Sequence, residues 1–110
     1  MDFTTAVKTC FAKYADFSGR ASRSEYWWFF LAYFILAIVS GVIHDYLYLI
    51  VVLAFLVPLI SAGVRRLHDI GKTGWLLLIG LIPLVGLVLI YFFVQPTQPE
   101  PNQYGAPPAA

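Results

Sequence analysis

Ionisable residues are spaced along this chain so that three long gaps are left between them. Residues 26–43, 46–64 and 75–94 contain no Asp, Glu, Lys, Arg or His, and run for 18, 19 and 20 residues. A helix rises about 1.5 Å per residue, so each gap makes a rod of roughly 27–30 Å, the thickness of a bilayer's hydrocarbon core. Strands would cross in about 9–11 residues of alternating polarity, and no such alternation is present. In lipid a backbone must satisfy its own hydrogen bonds, which a helix does within one segment. A water-soluble bundle would need a polar stripe on each helix, and none of the three gaps offers one.

Composition supports the same solvent. The chain is 60% apolar and 12% charged, against about 25% charged in ordinary soluble domains. At 110 residues there is room for one domain. The fold class predicted is all-α, an integral membrane protein. Residues 1–19 form a cytoplasmic interfacial amphipathic helix. Residues 20–94 form a domain of three transmembrane helices, at 26–43, 46–64 and 75–94. Residues 95–110, with five prolines, form a Pro-rich disordered tail.

Local signals set the boundaries. Phe3, Val7, Cys10, Phe11, Tyr14 and Phe17 recur at helical spacing, with Lys8, Lys13 and Asp16 off that face. Gly19 is placed to end the first helix. Ser22 followed by Glu25 is a capping box ahead of the first gap. Tyr26, Trp27, Trp28 and Trp75 fall at headgroup depth as an aromatic belt. Gly41 can close the first span and Asp45 can cap the second, giving a tight antiparallel hairpin. Pro58 and Pro83 each remove a backbone donor and are expected to kink their spans. Ala37 with Gly41, Ser61 with Gly63, and Gly80 with Gly86 are small residues suited to helix–helix contact.

The seven basic residues fix an expected orientation. Lys8, Lys13, Arg20 and Arg23 precede the first span, and Arg65, Arg66 and Lys72 lie between the second and third. With three spans these two segments share a side, which the positive-inside rule makes cytoplasmic. The N-terminus is then expected inside and the C-terminus outside, on the periplasmic face.

The candidate functional cluster comprises Arg20, Arg23, Glu25, Arg65, Arg66, His68, Asp69 and Trp75. If the second span continues as helix, Arg65, His68, Asp69 and Lys72 share one face, where opposite charges can pair. Arg20 and Arg23 lie on the same side and can reach Asp69. The plainer reading of this segment is a membrane-boundary anchor that fixes topology and binds anionic lipid headgroups. Sharper chemistry finds no support. Gly71-Lys72-Thr73 resembles the end of a phosphate loop, but Arg66 stands where that motif needs glycine. His44 and His68 are expected on opposite sides and Cys10 has no cysteine partner, so no metal is expected. Ser40 and Ser61 lack a nucleophile's context and are expected to bond backbone. No catalytic residue and no cofactor is assigned. The net charge of +1 does not point to nucleic acid.

Three segments carry a family resemblance. Phe17-Ser18-Gly19-Arg20-Ala21-Ser22-Arg23-Ser24-Glu25-Tyr26-Trp27 resembles the opening motif of domain-of-unknown-function family 805, a family of small bacterial inner-membrane proteins. Arg65-Arg66-Leu67-His68-Asp69, then Gly74-Trp75 and Ile82-Pro83-Leu84-Val85-Gly86, is similar to its second motif, and Asn102-Gln103-Tyr104-Gly105 to its tail. The resemblance implies a multi-pass protein of the bacterial inner membrane and supplies no reaction, substrate or cofactor.

Three roles follow for a chain of this kind. The preferred one is a non-enzymatic module that packs against itself, as a homo-oligomer, or against a membrane-protein partner. One alternative is a channel or transporter subunit, although no ionisable group lies inside the predicted spans. The other is a lipid-headgroup enzyme or lipid-binding protein using Arg65, His68 and Asp69, with His68 as proton carrier.

Overall fold

A computed structural model describes residues 1–108, and every regular element among them is helical. Helix α1 spans Phe3–Ala12, started by Asp2, whose carboxylate accepts from Thr5 N–H at 2.8 Å. It is shorter than the expected 1–19 segment. Lys13 to Gly19 instead form turns, with the Asp16 carboxylate accepting from Ser18 N–H and hydroxyl and Gly19 at φ +79°. Asx turns of this kind compete with helix, which is why the periodicity overran the element. Ala6 and Cys10 are buried, and α1 packs edge-on through Phe3 to Trp28 and Phe11 to Phe29.

Helix α2 spans Arg23–Ile43 and α3 spans Asp45–Asp69, both long and apolar enough to cross a membrane. Ser22 caps α2 by accepting from Glu25 N–H at 3.2 Å. The reciprocal half of the capping box is absent, because the Glu25 carboxylate turns to Arg65. His44, extended at φ −167°, closes α2 and opens α3, and its Nδ1 accepts from Tyr46 N–H. The cap is therefore His44 rather than Asp45. A one-residue link makes α2 and α3 an antiparallel hairpin, with the tilted rings of Phe29, Tyr33 and Phe55 packed between them. Helix α3 remains one element through Pro58 and runs five residues past the expected end at Val64.

The third predicted span is corrected. Residues 75–94 do not form one helix. A 3₁₀ helix, Gly74–Leu81, is followed by a reversal at 82–86 and then α4, Leu87–Phe93. The two rods are roughly 16 Å and 10 Å long, and neither reaches across the ~30 Å of a bilayer core. Pro83 supplies no backbone donor, Leu84 takes φ +68°, and the chain folds back on itself. Gly80 and Gly86 serve this reversal, since a Cβ on Gly86 would lie 3.1 Å from Gly80 Cα. Hydropathy measured the length of the apolar run and carried no information on its direction.

The return of α4 brings its end to the start of α2. Trp27 Nε1 donates to the Phe93 carbonyl at 3.0 Å, and the Tyr26 and Phe93 rings lie 4.6 Å apart. The segment after Val94 is then bonded to the same end of the molecule. Arg20 donates to the carbonyls of Gln98, Glu100 and Gly105. This differs from the disordered tail expected. Residues 95–105 are an ordered strap, held through main-chain carbonyls that residue types do not reveal. The chain's two end segments also share one end of the helical hairpin. Ala109 and Ala110 of the expected tail lie outside the described residues.

Candidate functional site

Five of the charged residues that flank the apolar helices are buried in two groups. Asp69, the last residue of α3, holds two guanidinium groups. Its Oδ1 accepts from Arg20 Nε at 3.0 Å and its Oδ2 from Arg66 at 2.8 Å. All three side chains are essentially inaccessible to solvent. A buried charge must be paired and hydrogen-bonded to persist, and the cluster meets that demand almost wholly within the protein. Arg20 sends its five N–H bonds to Asp69 Oδ1, to the Asp69 carbonyl, and to the carbonyls of Gln98, Glu100 and Gly105. Arg66 reaches Asp69, Ala21 and Phe93, and makes a further bond to the Gln95 carbonyl. The Asp69 carbonyl that Arg20 bonds is an orphan at the end of α3, so Arg20 also serves as a helix C-cap.

A second buried pair lies one turn earlier. Arg65 donates to the Glu25 carboxylate, joining α3 to the first turn of α2. The remaining Nε and second terminal nitrogen of Arg65 are buried without a partner among the described residues. Cys10 Sγ lies 3.9 Å from the same Glu25 carboxylate. Burial pushes the Cys10 thiol up to about 11, and the adjacent Glu25 charge adds to that shift.

His68 stands at the flank. Its Nδ1 lies 3.0 Å from the Gly19 carbonyl, an acceptor only, so Nδ1 carries the hydrogen. Tyr104 covers the ring face at 3.8 Å between centroids and 1° between planes. Asn102 fixes that strap segment, with its amide donating to the His68 carbonyl and its Oδ1 accepting from Tyr104 N–H.

The sequence-predicted residues are therefore distributed unevenly. Arg20, Arg66 and Asp69 meet in one cluster, Arg65 and Glu25 in another, and His68 beside the strap. The expected pairing of Asp69 along the Arg65 face is replaced by Arg66 at i−3. Arg23 is exposed and reaches the Val94 carbonyl at 3.3 Å rather than Asp69. Trp75 is 78% exposed at the start of the 3₁₀ helix, apart from both clusters. The strap residues Gln95, Gln98, Glu100 and Tyr104 contact these groups and were not among the predicted site residues. Asn102 and Gly105, which bridge through paired backbone bonds, were their one signal. Among the described residues, no three His, Cys, Asp or Glu side chains gather as a metal site would require.

Two long apolar helices, a reversing short-helix pair and a buried arginine–aspartate lock define a class of small helical protein with its charge gathered at one end. The chain belongs to the family described as "Protein of unknown function (DUF805)", whose model matches residues 14–106. It is similar to the inner membrane protein YhaI of Escherichia coli strain K12, with 37% identity over 103 residues, covering 86% of this chain and 87% of YhaI. The inner membrane protein YhaH of the same strain is 36% identical over 108 residues, covering 86% of this chain and 88% of YhaH. No solved structure matches the chain.

Proposed function

We propose that this protein is a non-enzymatic module of the bacterial inner membrane, built to pack within the bilayer rather than to turn over a substrate. In this reading α2 and α3 cross the membrane. The 3₁₀ helix and α4 form a re-entrant hairpin that enters and leaves by the cytoplasmic face. Both end segments then lie in the cytoplasm. The names of YhaI and YhaH support the compartment, and the large apolar surface left exposed on α2 and α3 supports lipid as the solvent. All seven basic residues belong to segments at one end of the hairpin, as the positive-inside rule asks of a cytoplasmic face.

One observation carries the non-enzymatic reading. Every N–H of Arg20 is already spent on Asp69 or on main-chain carbonyls. Asp69 is likewise occupied on both oxygens, and His68 is held by Gly19 and covered by Tyr104. A catalytic acid, base or anion clamp needs groups turned toward a reacting molecule. These groups are turned toward each other. Anionic headgroups are left the exposed cations, Lys8, Lys13, Arg23 and Lys72.

The test is a comparison of H68A with wild type in cells lacking the chromosomal copy, with crosslinking in native membranes alongside. The expected result is an unchanged lipid profile together with crosslinked species larger than the monomer. A lipid species that accumulates in H68A cells, or crosslinking that returns only monomer, would overturn the reading.

A further inference from the structure

The 3₁₀ helix has no buried residue, which is unusual for an element of eight apolar and glycine residues. It touches α3 closely at its start: a Cβ on Gly74 would lie 2.6 Å from Val64 Cγ1, and one on Gly63 3.2 Å from Leu77. Along that contact lie two cavities of about 460 and 380 Å³, the first reaching Phe17 and Tyr104 and the second walled mainly by the two helices. The cavities share Ile60, Leu77 and Leu78 as walls, so they form one groove.

Both walls follow from helix geometry. On α3 the lining residues Val52, Leu56, Ile60, Val64 and His68 recur every four positions, one above another. On the facing element Trp75, Leu78 and Leu81 recur every three, and a 3₁₀ helix eclipses residues at that spacing. From His68 to Val52 the α3 wall is roughly 24 Å long at about 1.5 Å per residue, more than one leaflet's ~15 Å of hydrocarbon.

The groove is polar at one end only. Its mouth, beside His68 at the end of α3, is framed by His68, Thr73, Trp75 and Tyr104. The Thr73 hydroxyl accepts from Trp75 N–H. The Thr73 hydroxyl, the Trp75 indole and the Tyr104 phenol donate no hydrogen bond among the described residues. Below Ile60 the lining is apolar except for Tyr33.

We infer that this groove holds one acyl chain of an inner-leaflet glycerophospholipid, with its ester and phosphate oxygens at the Thr73–Trp75–Tyr104 mouth. The inference rests on the membrane reading above, which sets polar mouth and apolar shaft at the depths where such a lipid has them. Ester and phosphate oxygens are acceptors, and the mouth offers donors. Lys72, exposed and next to Thr73 with its Nζ 6.0 Å from the Phe92 ring centroid, keeps a cation at the same end of the groove. A second copy of the chain would fill the apolar shaft but leave those donors without acceptors, so a lipid fits the whole groove better.

The test uses full-length protein in vesicles of phosphatidylethanolamine and phosphatidylglycerol. A trace of phospholipid with a photoactivatable acyl chain is added, and adducts are mapped by mass spectrometry. Adducts are expected to concentrate on the groove walls, at Leu78 and Leu81, over the exposed Leu53 outside it. The variants Ile60→Trp and Leu78→Trp each fill the groove from one wall, so a folding defect in one does not remove the test. Each should lower adducts at Leu81 about tenfold and leave those at Leu53 unchanged. Adducts spread evenly over Leu53 and Leu81, adducts unmoved by both tryptophans, or crosslinks from groove residues to a second copy would overturn the inference. An alkaline wash separates the two levels. Protein released by the wash refutes the membrane reading itself, whereas embedded protein with even labelling refutes the groove alone.

Discussion

Arg20 Nε lies 3.0 Å from Asp69 Oδ1 across 49 residues of sequence, with both side chains out of solvent. That contact joins the approach to α2 to the last residue of α3. Through the carbonyls of Gln98, Glu100 and Gly105 the same guanidinium also gathers the strap. One planar cation with five donors thus closes three parts of the chain, which a lysine's three donors on a flexible stem cannot reproduce.

The first prediction separates these duties. Asp69→Ala leaves Arg20 and Arg66 buried without a counter-charge, and breaking such a pair costs about 3–5 kcal/mol. Thermal unfolding in mild detergent should show a large loss of stability. Arg20→Lys keeps the charge at Asp69 but cannot hold three carbonyls at once. Hydrogen exchange should then accelerate over residues 98–105 while α2 and α3 stay protected. If Arg20→Lys leaves the strap protected, the carbonyl contacts are not what holds it.

The reversal at 82–86 makes a topological prediction. Reporter fusions after Ala106 and ahead of Phe3 should report the same side of the membrane. A cysteine placed at Val42 or Tyr46, beside the α2–α3 turn, should be labelled from the other side. Opposite readings at the two end segments would mean that residues 75–94 cross the bilayer after all.

How far the sequence foretold this can be seen at particular residues. Intervals without charge located α2 and α3, and Ser22 marked the start of α2 because a hydroxyl N-cap has a local signature. The third interval, equally long and apolar, misled because Gly80, Pro83 and Gly86 have the same composition whether they relieve helix–helix crowding or turn the chain around. Leu84 at φ +68° has no sequence signature at all. Arg65, Arg66, His68 and Asp69 were visible as a charged group and Arg20 as within reach of Asp69, but the pairs Arg65–Glu25 and Arg66–Asp69 were not. Asp69 chooses Arg66 and Arg20 over Arg65, a matter of where α2 begins relative to α3. The strap is held by main-chain oxygens, and every residue has one of those.

The stack of Tyr104 on His68 predicts a graded series. Aromatic pairs contribute about 0.5–1.5 kcal/mol beyond their burial. Tyr104→Phe should keep the strap's protection against hydrogen exchange, and Tyr104→Ala should lose much of it. Equal protection in both variants would show that Asn102 and Arg20 suffice.

Cys10 gives a pH prediction with a definite sign. Its thiol is raised from 9.0 to about 11 in the folded protein, by burial first and by Glu25 second. The folded state thus favours the neutral form, so its contribution to stability is intact below pH 9 and is lost as pH rises from 9 toward 11. Alkylation of the folded protein should be negligible near neutral pH and should climb only toward the upper value. Glu25→Gln removes the neighbouring negative charge and leaves Arg65 unpaired, both of which favour thiolate. Alkylation at pH 8.5 should therefore rise, by up to about tenfold for each unit of lowered pKa. Rapid labelling of the wild type near neutral pH would contradict both the burial and the shift.

Gly74 offers the sharpest test of how the 3₁₀ helix is hung on α3. A Cβ there would stand 2.6 Å from Val64 Cγ1, and real Cβ atoms do not approach that closely, so Gly74→Ala must push the helices apart. Overpacking of this kind costs about 1–3 kcal/mol. The obstacle is one side chain and no backbone atom lies among the near contacts, so shortening that side chain should relieve it. Val64→Ala alone loses methyl contacts and destabilises modestly, whereas Val64→Ala with Gly74→Ala should be more stable than the sum of the two single effects requires. The coupling is read from thermal unfolding of the four proteins of the cycle in the same detergent. A coupling of zero would mean that Gly74 is needed for its backbone conformation and not for the closeness of Val64, and the tight start of the groove would lose its explanation.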